Sequence, residues 1–241
     1  MLAATDEIVL HYIKYGESSI ITTIYTREFG RQSYIINAAR KNKSKNGTGI
    51  FQSLFLVELV AYQKQSREVQ RIKEIKNSPA YQNIPFDVTK STQVIFLAEL
   101  LYKTLMEEEG SPELFHFIKN SLLYFDLMDY NTVNFHLYFL YRLTEYLGIL
   151  PDMTTTNFKG WFDLKKGSIS PNEPSHPYFV HPEATKLLTN LATLKIQDIK
   201  EFKISADMRN YLLSKLIEYY HFHFQNLGEI KSLKVLREVF S

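Results

Sequence analysis

The sequence predicts an α+β protein: a small N-terminal barrel of about five strands, of the OB or SH3 type, then an all-helical C-terminal domain carrying an irregular hairpin insert. Three observations predict it. Residues 7–76 are rich in β-branched side chains and broken by short polar turns, which is strand chemistry. After Pro79 apolar residues recur at helical spacing. Between Met153 and Pro182, Gly160, Gly167, Pro171, Pro174 and Pro177 interrupt any long helix. The change of character at Pro79 to Pro85 divides the chain into a barrel domain, 1–79, and a helical domain, 80–241, with the insert at about 153–182.

In order, Ile8, Leu10 and Tyr12 alternate on a first strand, and Tyr15-Gly16-Glu17-Ser18 makes a turn. Ser19 to Tyr25 resumes with Ile20 and Ile24 in phase, and Glu28-Phe29-Gly30 turns the chain into a third strand, Arg31 to Ala38. Leu54 to Gln63 supplies a long fourth strand and Glu68 to Ile75 a weaker fifth. Arg40 to Gly49 holds nothing that can pack, so it is expected as an exposed loop. The first helix is expected over Ser91 to Glu109, where Val94, Leu97, Leu101 and Leu105 share a face. Ser111-Pro112-Glu113 starts a second, through Phe125, and Asn131 to Leu147 forms a third that Gly148 closes. Within the insert, Trp161 to Leu164 and Ser168 to Ser170 can pair across Lys165-Lys166-Gly167. Helices resume at His181-Pro182-Glu183, at Ala206 to Asn226 and at Ile230 to Val239.

Composition narrows the function classes. A chain of 241 residues with 45% hydrophobic content can bury a core, and a net charge of +2 means that any attraction for phosphates must come from clustering. The absence of Cys excludes disulfides, a thiol nucleophile and thiolate zinc sites, and fits a reducing compartment. No leader-like or membrane-length apolar run is visible, so a soluble cytoplasmic protein without membrane attachment is expected. Gly47-Thr48-Gly49 lacks the Lys-Ser/Thr ending of a P-loop, and no Gly-x-Ser-x-Gly elbow occurs, so neither ATP hydrolysis nor other covalent chemistry is expected. His221 and His223 stand two apart on a predicted helix, about 200° around its axis, and cannot share one ion; no metal or cofactor is expected. Glu107 to Glu109 reads as a solvated helix end. The 16 Tyr and 17 Phe fall mostly on apolar helix faces and read as core, with base stacking the alternative.

The informative signal is basic. Arg40, Lys41, Lys43 and Lys45 sit on one loop, where they either neutralise phosphates or keep a solvated loop soluble. Lys14, Arg27 and Arg31, at turns of the same barrel, extend the patch. Lys231, Lys234 and Arg237 form a second cluster at helical spacing, either a nucleic-acid contact or a plain solvated face.

The ordered series Ile8-Val9-Leu10, Tyr15-Gly16-Glu17-Ser18, Tyr25-Thr26-Arg27-Glu28-Phe29-Gly30 and Ala38-Ala39-Arg40-Lys41-Asn42-Lys43 resembles the N-terminal barrel of the bacterial RecO recombination mediators. The likeness continues through Leu56-Val57-Glu58-Leu59, Glu99-Leu100-Leu101, Tyr146-Leu147-Gly148 and Leu227-Gly228-Glu229-Ile230-Lys231-Ser232, and so covers nearly the whole chain. The resemblance implies an OB-fold barrel and a nucleoid-associated DNA repair protein. Such a protein binds single- and double-stranded DNA, anneals complementary strands, works with RecR, and recognises the acidic C-terminal tail of single-stranded DNA-binding protein to help load RecA. None of these steps needs ATP.

By motif match the resemblance places DNA contact on Arg40, Lys41 and Lys43, and less directly on Arg27 and Lys231. Lys14, Arg31, Lys45, Lys234 and Arg237 are added from charge and position alone. For a pocket that takes an acidic tail, Lys103 and Arg142 are the expected basic rim. Many relatives of this kind carry paired Cys in a zinc-ribbon-like insert; here Met153 to Pro182 has none, so a hairpin at Trp161 to Ser170 held by packing, without zinc, is expected. The rival reading is an interaction adaptor whose barrel binds protein and not DNA. A nuclease would need clustered carboxylates and a metal, which the sequence does not supply.

Overall fold

A computed structural model describes residues 2–17, 19–37, 47–62, 67–106, 109–129, 132–154 and 160–240. The chain divides into two compact units, Met1–Asp126 and Leu127–Ser241.

In the first unit, β1 (Leu2–Tyr15), β2 (Ser19–Thr26), β3 (Gly30–Asn37), β4 (Leu56–Tyr62) and β5 (Val69–Asn77) close a barrel in the order β1-β2-β3-β5-β4. This is the closed five-stranded barrel that the alternation predicts, of the OB type that the resemblance implies. β1 is longer than its apolar alternation suggests, because its first half pairs with β4 and its second half with β2. A register shift between Val9 and His11 turns the strand between these two partners. Val9, Ile20, Ile24, Tyr34, Val57, Leu59, Ala61 and Ile72 fill the interior. Between β3 and β4 a short 3-10 turn, Gly47–Phe51, adds Ile50 and Phe51 to that core, so the end of the expected loop is ordered and packed.

Helices α1 (Val88–Thr104) and α2 (Pro112–Leu127) follow. α1 begins earlier than Ser91 because Asp87 caps it, its carboxylate accepting from the Thr89 and Lys90 amides at 2.8 and 3.1 Å. It ends before the glutamate run, where Arg31 Nη1 donates to the carbonyls of Tyr102 and Leu105 at 2.8 and 3.2 Å and supplies the cation a helix C-terminus favours. α1 packs on β1, and Phe115 of α2 stacks on Tyr25 with ring centres 6.5 Å apart. Ile8 and Tyr25, on the outer wall of the barrel, are therefore buried. The segment between barrel and helices is fixed by Asp126, whose carboxylate accepts from the amides of Gln82, Asn83 and Ile84 at 2.7–2.9 Å.

Just before α2, Gly110 lies against the β2–β3 turn: a Cβ there would stand 2.5 Å from the Arg27 carbonyl oxygen and the Glu28 carbonyl carbon. Both are backbone atoms and cannot yield cheaply. Gly110→Ala is expected to cost about 1–3 kcal/mol, as overpacking does, read as a lower urea midpoint with unchanged slope.

The second unit is built around α3 (Phe135–Tyr146), which is buried on nearly every side. It ends in a Schellman pattern at Gly148, φ +69°, with the Gly148 and Ile149 amides donating to Glu145 and Thr144 carbonyls. α4 (Pro182–Thr193) and α5 (Ala206–His223) pack on α3, and Tyr220 donates to the Leu140 carbonyl at 2.9 Å. α6 (Ser232–Val239) completes the unit, and a 3-10 turn at Ile196–Glu201 joins α4 to α5. The insert is a three-stranded sheet, one strand more than the expected hairpin: β6 (Trp161–Asp163) pairs with β7 (Ser168–Ser170) and with β8 (Phe179–Val180). β8 is too short to leave a periodic signal. No helix among the described residues is long and apolar enough to cross a membrane.

Candidate nucleic-acid interface

The pleat of the barrel decides which side chains face outward. With Ile20 and Ile24 inside, Ile21 faces out; with Tyr34 inside, so does Ile35; with Ile72 inside, so does Arg71. The register then joins these positions: Ile13 opposite Ile21, Ile21 opposite Ile35, Ile35 opposite Arg71, and Arg71 opposite Tyr62. An aliphatic and aromatic row thus runs around the barrel and meets a guanidinium. Ile13 is 50% exposed and Tyr62 42%, far more than core residues of their kind. Tyr15, 56% exposed, extends the row at the end of β1, where it pairs with Ser19. Ser19 also pairs with Asn37, so the end of β3 and the end of β1 flank the same residue of β2.

Arg40, Lys41, Lys43 and Lys45, which follow β3 in the chain, lie outside the described residues. Lys14 is exposed at the same end, opposite Ile20. Arg27 is exposed at the other end of β2, roughly 25 Å away for an eight-residue strand, and its Nη2 meets Glu28 at 3.4 Å. Arg31 is committed elsewhere: besides capping α1, its guanidinium lies 4.4 Å from the centre of the Tyr102 ring. Structure therefore groups Lys14 with the root of the basic loop and separates both from Arg27 and Arg31.

Three exposed cations were missed by sequence reasoning: Arg67, Arg71 and Lys73. Lys73 makes only an exposed contact with neighbouring Glu74 at 3.7 Å, which in water is worth little. The signal was present, since Gln70 and Ile72 point in and Arg71 and Lys73 alternate with them.

In the second unit Lys231, Lys234 and Arg237 are exposed at and along α6, with Arg237 Nη2 donating to Ser214 Oγ at 2.7 Å. Lys103 and Arg142, the expected rim residues, belong to different units. Lys103 lies 3.7 Å from Glu99, and Arg142 contacts Glu145 at 3.2 Å. Both ring nitrogens of His221 face carbonyl oxygens, Ile217 at 2.8 Å and Gly228 at 3.1 Å, while the His223 ring packs on Tyr219. Burial lowers the pKa of His223. Among the described residues no group of three or more His, Asp or Glu is arranged to hold a metal.

The turn after β6 is organised by Asp163, whose side chain is 2% exposed. Its Oδ1 accepts from the Lys165 and Lys166 amides at 2.9 and 3.1 Å and lies 3.4 Å from His176 Nε2. Lys166 Nζ approaches Oδ2 at 3.8 Å. Phe162 packs on Tyr219 and Trp161 on Phe179.

Two family models match this chain: "Recombination protein O N terminal" over residues 1–79 and "Recombination protein O C terminal" over residues 85–234. Similar curated proteins are the DNA repair protein RecO of Phocaeicola vulgatus, 35% identical over 241 residues, and that of Flavobacterium psychrophilum, 35% identical over 242 residues. The DNA repair protein RecO of Azobacteroides pseudotrichonymphae is 33% identical over 240 residues. In each case 100% of both chains is covered.

Proposed function

The chain belongs to the RecO family of DNA repair proteins, and we propose that it serves repair by binding single- and double-stranded DNA on the outer wall of its barrel and annealing complementary strands. With RecR it helps load RecA on strands coated by single-stranded DNA-binding protein, whose acidic tail it recognises. The observation that carries the DNA reading is the Ile13-Ile21-Ile35 row ending at Arg71, beside the root of the basic loop. Exposed rings such as Tyr15 and Tyr62 at the ends of this row stack unpaired bases, and flanking cations neutralise their phosphates.

Salt tests the mechanism, because each neutralised phosphate releases condensed counterions. Anisotropy titrations with a fluorescent single strand are expected to weaken steeply as salt rises. Changing Arg40, Lys41 and Lys43 together to Ala should lower the slope of log K against log salt by about 2, at about 0.7 per phosphate contact. Arg71→Ala with Lys73→Ala should lower it by about 1.4. Binding indifferent to salt, or to both sets of changes, would refute phosphate neutralisation at this wall. The same apolar row suits a protein surface, and absence of any mobility shift with oligonucleotides at low salt would favour that adaptor reading.

A further inference from the structure

We propose that the insert of the second unit is a separate single-strand contact, in which Lys165 and Lys166 hold phosphates and the Tyr178–Phe222 corner receives a base. This rests on the reading that the chain binds DNA. The buried Asp163 carboxylate fixes the turn by accepting both lysine amides, so the two side chains leave a rigid base. Lys166 is 73% exposed, and Lys165 Nζ stands 4.7 Å from the centre of the Tyr178 ring. Tyr178 in turn meets Phe222 of α5 edge-on, ring centres 5.1 Å apart at 82°. Two rings at that angle make a floor and a wall.

Both rings are left open to solvent, Tyr178 at 37% and Phe222 at 39%, whereas most large aromatic side chains of this unit are buried. Exposed aromatics beside paired ammonium groups match the two faces of a nucleotide: a base to stack and a phosphate to neutralise. The Lys165 ammonium over the Tyr178 ring brings cation and ring within the span of one nucleotide. His176, 5.9 Å from the Tyr178 ring, borders the corner on the side of the turn. The carboxylate that Lys166 approaches, at 3.8 Å, is that of Asp163, which is buried and accepts from backbone amides. A strand held here while another occupies the barrel would give one chain two strands to bring together.

The test uses the full chain. K165E/K166E is expected to weaken binding of a fluorescent oligothymidylate about tenfold, and K165A/K166A to lower the salt slope by about 1.4. F222A should weaken binding about tenfold, as removal of one stacking platform does, with the salt slope unchanged. Melting followed by Trp161 fluorescence establishes that each variant is folded. Cross-linking of wild type to a 4-thiothymidine oligonucleotide should give adducts in residues 161–180 or at Phe222. Adducts confined to the barrel, or insert variants that bind within twofold of wild type while R71A/K73A loses affinity, would overturn this site and leave the DNA reading intact. A wild type that binds no oligonucleotide would overturn both. Loss of an acidic peptide by the insert variants, with oligonucleotide affinity unchanged, would also overturn it and assign the surface to protein.

Discussion

Asp126→Ala is expected to destabilise the first unit by about 2–4 kcal/mol, because it leaves backbone amides without their acceptor. The carboxylate is buried and accepts from three successive backbone amides, Gln82, Asn83 and Ile84. Asn83 Nδ2 and Lys90 Nζ both donate to the Asp126 carbonyl at 2.8 Å, so the same residue also holds side chains on either side of the segment. Truncation leaves those amides without this acceptor; the Ile84 amide is buried, and such an orphan costs about 1–3 kcal/mol. Asp126→Asn keeps one oxygen acceptor and should lose less. Urea unfolding followed by far-UV circular dichroism measures the effect on the whole chain, while Trp161, the single tryptophan, reports only the second unit. A lowered dichroism midpoint with an unmoved fluorescence midpoint is the expected result; equal midpoints for wild type and variant would refute the clamp.

Acid should destabilise the second unit through His136. Burial, and then the charge of Arg209, lower its pKa to about 3 in the folded protein, against an ordinary 6.5. Below pH 6.5 the unfolded chain takes up a proton that the folded chain refuses, so stability falls as pH falls toward 3. Above 6.5 both states hold the neutral ring and no dependence arises from this group. The loss is about 1.4 kcal/mol per pH unit, or about 2 kcal/mol between pH 6.5 and pH 5. The Phe240 ring lies 5.9 Å from His136, and Arg209 donates to the Phe240 carbonyl at 3.0 Å, so charging His136 adds a second cation to a buried corner. His136→Gln should narrow the difference between melts at pH 7.5 and pH 5 by about 2 kcal/mol, whatever it costs at pH 7.5. An unchanged difference would show that other groups govern the acid limb.

The barrel was legible because its constraint is local: a sheet face must alternate, and Ile20, Ile24 and Ile72 do so. Gly148 was legible for the same kind of reason, since a helix that ends in a left-handed residue favours glycine. Gly110 was not, because the backbone it must clear belongs to a turn far back in the chain. Arg31 shows the limit for function. Charge beside a turn looks available in one dimension, and only the fold brings the end of α1 against it. Arg71 shows the converse: it was overlooked in a weak strand, yet the register sets it at the end of the exposed row. Asp163 was not legible, because a carboxylate that organises a turn has no spacing signature of the kind paired thiolates have.

The burial of Ile8 and Tyr25 on the outside of the barrel bears on how this molecule can be dissected. A fragment stopped at Pro79, where composition changes, would strip away α1 and Phe115 and leave a greasy flank open to water. Such a piece would tend to self-associate, and contiguous apolar surface of that sort mimics an interaction site in binding assays. Excision after Asp126 keeps the flank covered and the clamp whole, so that whatever the shortened polypeptide holds is held by its native surface.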